Sequence, residues 1–272
     1  MSSDKVRLGG MALANGVLVH GPRYWACAIR LEDGSLEVAS GLKPLRAAEI
    51  ENRLIRTPAR LAEVFALLPE VRRRLPAAQL PFQRPAVAAA MVGSAAAVKA
   101  VRGSRRLSNV AQEGLAALLA VAPAAVAMRG SNLAEYHGAE HISIGTYEHG
   151  EERAKEHERC GSHMLGPLLL TSAVGNALAS RAPSSLRPAA RAAAGVGAIA
   201  ASVELFSWMV QNERNPLARA LAFPGHELQH RFVTAEPSAE QLEVANVALE
   251  ECLRLESPGN GHDGTAEEAP PT

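Results

Sequence analysis

The residues with the most chemical potential lie between positions 136 and 163, in the run YHGAEHISIGTYEHGEERAKEHERCGSH. This run holds five of the nine histidines and one of the three cysteines. These are His137, His141, His149, His157, His163 and Cys160, and Glu140 and Glu148 lie between them. Imidazoles combined with a thiolate favour zinc over magnesium or calcium. The composition of the run therefore predicts a transition-metal site, with Zn²⁺ as the preferred ion.

The spacing within residues 137–141, the first histidine motif, predicts a shared helical face. Side chains three and four positions apart project from the same side of a helix, so His137, Glu140 and His141 would converge. The order His-x-x-Glu-His is the inverted form of a zinc-protease helix motif, in which the histidines bind the metal and the glutamate polarises a water. Glu148 falls on the same face three turns further along. It is a reserve ligand.

A second pair of ligand types, His157 and Cys160, follows at helical or turn spacing. The predicted ligands are therefore His137, His141, His157 and Cys160, with Glu140 as the general base. Four protein ligands would make a closed, structural site, whereas three would leave a position for water and permit hydrolysis. The simpler interpretation is a charged helix with histidines on its solvated side.

Residues 226–230, the second histidine motif, offer a competing site. His226, Glu227 and His230 form His-Glu-x-x-His, the zinc-peptidase motif in its usual order, and Glu250 is a candidate third ligand. The preceding Pro224-Gly225 leaves open whether these residues form a helix or a turn. The two motifs could also supply one dinuclear centre.

Composition limits the class of protein. The chain has 272 residues, with Lys plus Arg equal to Asp plus Glu at 28 each, so its net charge does not indicate nucleic-acid binding. Aromatic residues make up 4% and much of the 47% hydrophobic fraction is alanine, which favours helices over strands. The three dispersed cysteines and the absence of a secretory segment favour a reducing compartment.

The order of patterns along the chain predicts an α+β protein that is mainly helical, with a small N-terminal sheet. Residues 1–44 are the β-rich segment, in which Asp33-Gly34 predicts a hairpin turn. Residues 45–84 comprise a helix over 47–75 and a proline-rich linker. Residues 85–256 form an alanine-rich helical bundle with the metal site, ending in a helix capped by Ser238 and Gln241. The tail, 257–272, is predicted to be disordered.

Four stretches almost free of charge predict apolar helices. Residues 85–98 and 114–128 are too short to span a bilayer alone, so we expect buried or interfacial helices there. The other two stretches, residues 160–180 and 192–212, are longer. The second contains one charged residue, Glu204, and together the two stretches predict a helical hairpin. The hairpin either enters a membrane or forms a buried core. We favour the inner (cytoplasmic) membrane, with a cytoplasmic protein as the alternative, and an ionisable group such as Glu204 at membrane depth would be functional.

Several blocks of sequence resemble the YqhQ-like family, domain of unknown function 1385. The blocks are Gly9-Gly10-Met11-Ala12, Asn15-Gly16-Val17, Gly21-Pro22, Tyr136-His137-Gly138-Ala139-Glu140-His141, Arg159-Cys160-Gly161, Pro224-Gly225, Gln229, Thr234 and Glu236-Pro237. They keep the family's order over residues 6–253. The resemblance implies a metal-dependent enzyme with membrane-spanning helices and no established reaction, and it places the family's ligand motifs on His137, Glu140, His141, His157 and Cys160.

The sequence also departs from that family at several positions. Glu158 stands where the family usually has proline, Asn15 where glutamate is expected, and His20 where arginine is expected. The second histidine motif does not match the family pattern, so we favour the first motif as the metal site.

Taken together, the residues and the resemblance predict a membrane-associated, metal-dependent hydrolase whose substrate and oligomeric state the sequence does not identify. A non-catalytic, metal-stabilised scaffold or partner-binding protein is the first alternative, and a peptidase using the second histidine motif is another. Metal or ion transport would require more ionisable residues inside the apolar segments than Glu204 alone.

Overall fold

The computed structural model describes residues 5–46, 49–51, 53–104, 106–129 and 131–257. The predicted disordered tail lies outside the described residues beyond position 257.

The N-terminal segment forms a four-stranded antiparallel meander. Its strands are β1 (Gly9–Leu13), β2 (Gly16–His20), β3 (Tyr24–Arg30) and β4 (Leu36–Leu42), paired in the order in which they occur. The turn between β3 and β4 uses Gly34 at φ 86°, and the Asp33 carboxylate accepts a hydrogen bond from the Ser35 backbone at 2.9 Å. The hairpin predicted from Asp33-Gly34 is confirmed.

Helices cover both faces of this sheet. Helix α1 (Arg53–Arg74) packs on one face, and helices α4 (Leu133–His149) and α8 (Ala239–Glu256) pack on the other. Side chains alternate between the two layers, so Val17 and Val19 face α4 and α8 while Leu18 faces α1. Because α4 lies against the sheet, the first histidine motif is carried by a packed helix.

Helix α8 is held at both ends. At its start, Ser238 and Gln241 make the predicted capping box. At its end, the buried Glu256 carboxylate accepts hydrogen bonds from the backbone of Arg23 at 2.7 Å and Tyr24 at 2.8 Å. These hydrogen bonds fix the end of α8 to the sheet, on the face where α8 and α4 pack together.

The apolar segments form two helical hairpins. The first comprises α2 (Pro85–Gly103) and α3 (Asn109–Met128), and the second comprises α5 (Leu165–Ser180) and α6 (Arg187–Gln211). The hairpin predicted within residues 160–212 is thus present. The first pair differs from the expectation of short, buried helices, since α2 has 19 residues and α3 has 20. Single charged residues such as Lys99 and Glu113 interrupt a charge-free run without ending a helix.

Three of these helices are long and apolar enough to cross a membrane by length and composition: Pro85–Gly103, Ala111–Met128 and Arg187–Gln211. Only 6, 11 and 17% of the residues in their apolar windows are buried. Large side chains such as Val92, Leu118 and Val196 are 71 to 73% exposed. The outer surface of the hairpins is therefore apolar. Glu204 lies on an exposed position of α6.

The remaining elements connect the hairpins to the sheet layer. Short 3₁₀ turns lie at Pro81–Gln83 and Gly161–Met164, before α2 and α5 respectively. Helix α7 (Pro216–Leu228) ends in a π-helical turn, Gln229–Val233, that contacts α4. The Arg84 guanidinium donates to the Ala127 carbonyl at 3.0 Å and joins the start of α2 to the end of α3. The open end of the first hairpin lies near the first histidine motif, because Ala127 and Met128 line the same pocket as His137.

Candidate metal centre

Three of the predicted ligands meet in space. His137, His141 and Cys160 each offer one donor atom, and these atoms all lie within 4.8 Å of one another. The Cys160 Sγ lies 3.6 Å from His137 Nε2. Zn–S and Zn–N bonds of ordinary length at a tetrahedral angle place S and N about 3.5 Å apart. The donor set therefore fits a zinc ion.

Backbone carbonyls orient both imidazoles. His137 Nδ1 lies 2.8 Å from the Val233 carbonyl, and His141 Nδ1 lies 2.6 Å from the Lys155 carbonyl. A carbonyl only accepts, so each Nδ1 carries the proton and each Nε2 keeps its lone pair. Metal-binding histidines usually have such a partner on their other nitrogen, which fixes the tautomer and the ring orientation.

His141 is held in its neutral form. Burial, followed by the neighbouring His137, lowers the pKa of His141 to about 2. The two rings have centroids 4.3 Å apart. Two protonated imidazoles at this separation would repel each other, whereas neutral ones can share a cation.

Glu140 lies beside the cluster and faces the same pocket. Its carboxyl packs over Gly10 of β1 so closely that a Cβ at that position would lie 2.4 Å from Glu140 Oε1. Burial raises the pKa of Glu140 to about 7, with His137 opposing the increase and Cys160 adding to it. Near neutral pH this carboxyl can both accept and release a proton.

The other two predicted ligands, His157 and Glu148, contact each other. His157 Nε2 lies 3.1 Å from Glu148 Oε2, and His157 Nδ1 accepts the Arg159 backbone N–H at 3.3 Å. The Arg159 guanidinium also pairs with Glu148. Both nitrogens of His157 are therefore engaged, although its ring centroid lies only 5.5 Å from that of His141. Both roles as metal ligands stay predictions.

Sequence reasoning assigned no role to Gln229, which holds the loop that carries Cys160. This side chain is fully buried in the π-helical turn. Its amide accepts from the His157 backbone N–H at 2.9 Å and donates to Ser162 Oγ at 2.6 Å and His163 Nδ1 at 3.0 Å. The same turn supplies the Val233 carbonyl. The one feature of the sequence that could have identified Gln229 is that it is among the positions that resemble the YqhQ-like family.

A pocket of about 510 Å³ leads to the cluster. His137, Glu140, His141, His157 and Cys160 line its polar part, while apolar side chains from β1, α3 and α4 line the remainder. His20 also lines it, and burial, followed by Lys43, lowers the pKa of this residue to about 4. Glu204 is not among the lining residues.

The second histidine motif has a different arrangement. Its two imidazoles stack with centroids 6.4 Å apart, Glu227 pairs with Arg231 at 2.7 Å, and His230 pairs with Glu156 at 2.9 Å. Glu250 is exposed on α8. Within the described residues, the cluster of His137, His141 and Cys160 is the one group of three such ligand types that meets.

These observations define an α+β protein whose candidate metal centre lies beside helices long enough to cross a membrane. Its family follows from sequence comparison: the chain belongs to the DUF1385 family of proteins of unknown function, whose model matches residues 101–255. The match begins near the end of α2 and includes both histidine motifs.

One curated relative is the uncharacterized protein YqhQ of Bacillus subtilis (strain 168). It is 31% identical over 131 residues, which is 45% of this chain and 41% of YqhQ. The matched region thus spans less than half of either protein. No solved structure matches the chain.

Proposed function

We propose that this protein is a membrane-associated hydrolase that binds zinc through His137 Nε2, His141 Nε2 and Cys160 Sγ. The observation that carries the proposal is that one donor atom from each of the three residues lies within 4.8 Å of the others, while backbone carbonyls engage both Nδ1 atoms and leave both Nε2 atoms unprotonated. Clusters of exposed charged residues arise without a metal, but a buried and a half-buried histidine that are both oriented by carbonyls and lie beside a thiol are typical of a metal site.

Three protein donors leave a fourth position in a tetrahedral site, which distinguishes catalytic zinc centres from closed structural ones. A zinc ion bound here would supply Lewis acidity and lower the pKa of water toward neutrality. His137, His141 and Cys160 would hold the ion, and the pocket would admit the substrate.

Glu140 is the proposed general base. It accepts a proton from the water that attacks the substrate and returns it to the leaving group, a role supported by its place in the lining of the same pocket as the three ligands. Glu140→Gln should abolish turnover, measured on a panel of chromogenic esters, phosphodiesters and peptides, while the metal stays bound. Loss of the metal in this variant would instead make Glu140 a ligand and contradict the role.

We place the protein in the inner (cytoplasmic) membrane, supported by three helices with sufficient length and apolar composition. Water outside such helices would contact long, uninterrupted apolar surfaces, which soluble proteins rarely expose. Membrane fractions should retain the protein after alkaline carbonate washing. Release into the soluble fraction would contradict this placement.

The metal site is tested by mass spectrometry of the purified protein. His137→Ala/His141→Ala should lose about one zinc per chain. The matched variant His226→Ala/His230→Ala should keep it. Loss only in the second variant would move the site to the second histidine motif and support a peptidase. No zinc in the wild type, under conditions in which a control protein keeps its zinc, would refute the proposal.

A closed, structural metal site is the second candidate, favoured by the short distance between the rings of His157 and His141. Rotation of His157 away from Glu148 would supply a fourth protein ligand and make the protein a metal-stabilised scaffold. In that case a chelator would unfold the protein, as it does proteins with structural zinc, and His157→Ala would lose the metal. The hydrolase proposal predicts that His157→Ala keeps it.

A further inference from the structure

The pocket beside the metal centre has two chemically different parts. Its polar lining comprises the proposed ligands and Arg159. Its apolar wall is formed by Ala124, Ala127 and Met128 of α3, together with Leu8 and with Met11 of β1. A molecule that fills this pocket therefore contacts both polar and apolar side chains.

Three of these wall residues, Ala124, Ala127 and Met128, belong to a helix that is long and apolar enough to cross a membrane. The apolar window of α3 covers Ala111–Met128, so all three wall residues lie in its last turns. In a helix that crosses a bilayer, the last turns lie where hydrocarbon meets water. The ligand cluster would then lie just outside the hydrocarbon, beside the end of the span.

We infer that the substrate is an amphiphile of the membrane, with its reactive polar group at the cluster and its hydrocarbon chain along α3. The inference rests on the proposed function, because it identifies the substrate class of that same site. A water-soluble, fully polar substrate would contact the ligands equally well but would gain nothing from the wall formed by Ala124, Ala127 and Met128. Apolar contact with a chain provides affinity in proportion to its buried area.

The test uses alkyl hydroxamates, which chelate zinc-type ions and carry chains of any length. Full-length protein in lipid nanodiscs, loaded with Co²⁺, is titrated with acetohydroxamate and octanohydroxamate, and binding is followed by the visible cobalt absorption. Each methylene buried against the wall should tighten binding roughly three- to fourfold. The increase should end when the chain exceeds the pocket.

Two neighbouring alanines of α3 provide a matched pair of variants. Ala124 lines the pocket, whereas Ala125, the next residue of α3, is exposed and is not among the lining residues. Ala124→Phe should reduce the ratio of octanohydroxamate to acetohydroxamate affinity to about one, and the cobalt bands of the variant show that it is folded. Ala125→Phe should behave like the wild type, and any partition of octanohydroxamate into the lipid affects both variants equally.

A photoreactive diazirine at the end of the octanoyl chain gives a second readout that requires no variant. Its adducts, mapped by mass spectrometry, should lie within residues 124–128. Binding of acetohydroxamate without any dependence on chain length, or adducts confined to other helices, would overturn the inference and leave the metal site intact. The absence of cobalt bands would overturn the metal site and this inference together.

Discussion

The two histidine motifs of this chain have similar spacing and different surroundings. In the first, residues 137–141 lie within a regular helix that packs on a sheet, and backbone carbonyls accept hydrogen bonds from both histidines. In the second, helix α7 ends at Leu228 and the chain continues in a wider π turn. His230 there has a side chain that is 61% exposed and pairs with Glu156.

The spacing of a motif determines which side chains can share a helical face. Burial and hydrogen-bond partners determine which histidine nitrogen is available to bind a metal. The π turn of the second motif also serves the first, because it contributes Gln229 and the Val233 carbonyl. Helical irregularities of this kind are frequent at functional sites. The second motif is therefore better explained as support for the first than as a separate centre.

Gln229→Leu should have the largest effect. It tests whether the second histidine motif supports the first or forms a separate centre. The change leaves the backbone of His157 and the side chains of Ser162 and His163 without their buried partner. We expect a loss of roughly 4 kcal/mol in the free energy of unfolding and a 10- to 100-fold loss of zinc affinity. Chemical denaturation and zinc titration measure the two effects.

Gln211→Leu is the matched control for that experiment, because Gln211 is exposed at the end of α6 and should have little effect. Unchanged zinc affinity in Gln229→Leu would mean that the second motif does not position the first.

The loss of unfolding free energy at acid pH should differ between a buried histidine, His20, and an exposed one, His230. Burial lowers the pKa of His20 to about 4, so this residue stabilises the fold above pH ~6.5 and the contribution is lost as the pH falls through 4. His20→Gln should reduce the acid-induced loss of unfolding free energy by about 3 kcal/mol between these pH values. His230→Gln, at an exposed position, should not. Equal acid sensitivity of the wild type and His20→Gln would show that His20 is not held neutral.

The smallest predicted effect on stability is that of Gly10→Ala. The new methyl group would displace the Glu140 carboxyl, which lies 2.4 to 2.7 Å from the position of the added Cβ. We expect a cost of about 1 to 2 kcal/mol, loss of turnover and full retention of zinc. Gly93→Ala on α2, where nothing lies within 4 Å of the added Cβ, is the control. Loss of zinc in Gly10→Ala would mean that the carboxyl belongs to the ligand set.

Local features of the fold were predictable because neighbouring residues determine them. The Asp33-Gly34 turn and the Ser238 and Gln241 capping box need no tertiary information. The charge-free stretches are shorter than α2 and α3, because charged residues such as Lys99 lie within these helices. A helix tolerates one long cationic side chain near its end, since that side chain can extend to the polar surface.

All three members of the cluster are predicted from the sequence as ligands, but helical spacing explains the convergence of only two of them. His137 and His141 converge because they are four residues apart, and Cys160 joins them through a loop that Gln229 holds from a distant segment. Glu148 shares the helical face with His137 but lies 11 residues on, roughly 16 Å along the axis, where it meets His157 and Arg159 instead. Sequence periodicity indicates a shared face and does not limit distance along it.

X-ray absorption at the zinc edge of the purified protein tests the proposed zinc coordination directly. We expect one sulfur ligand at about 2.3 Å, two imidazole nitrogens at about 2.0 Å and one light atom from solvent. The sulfur signal should be absent in Cys160→Ser and retained in Cys252→Ser. A third imidazole would indicate a closed site that includes His157. A spectrum with no sulfur ligand in the wild type would contradict the proposed centre.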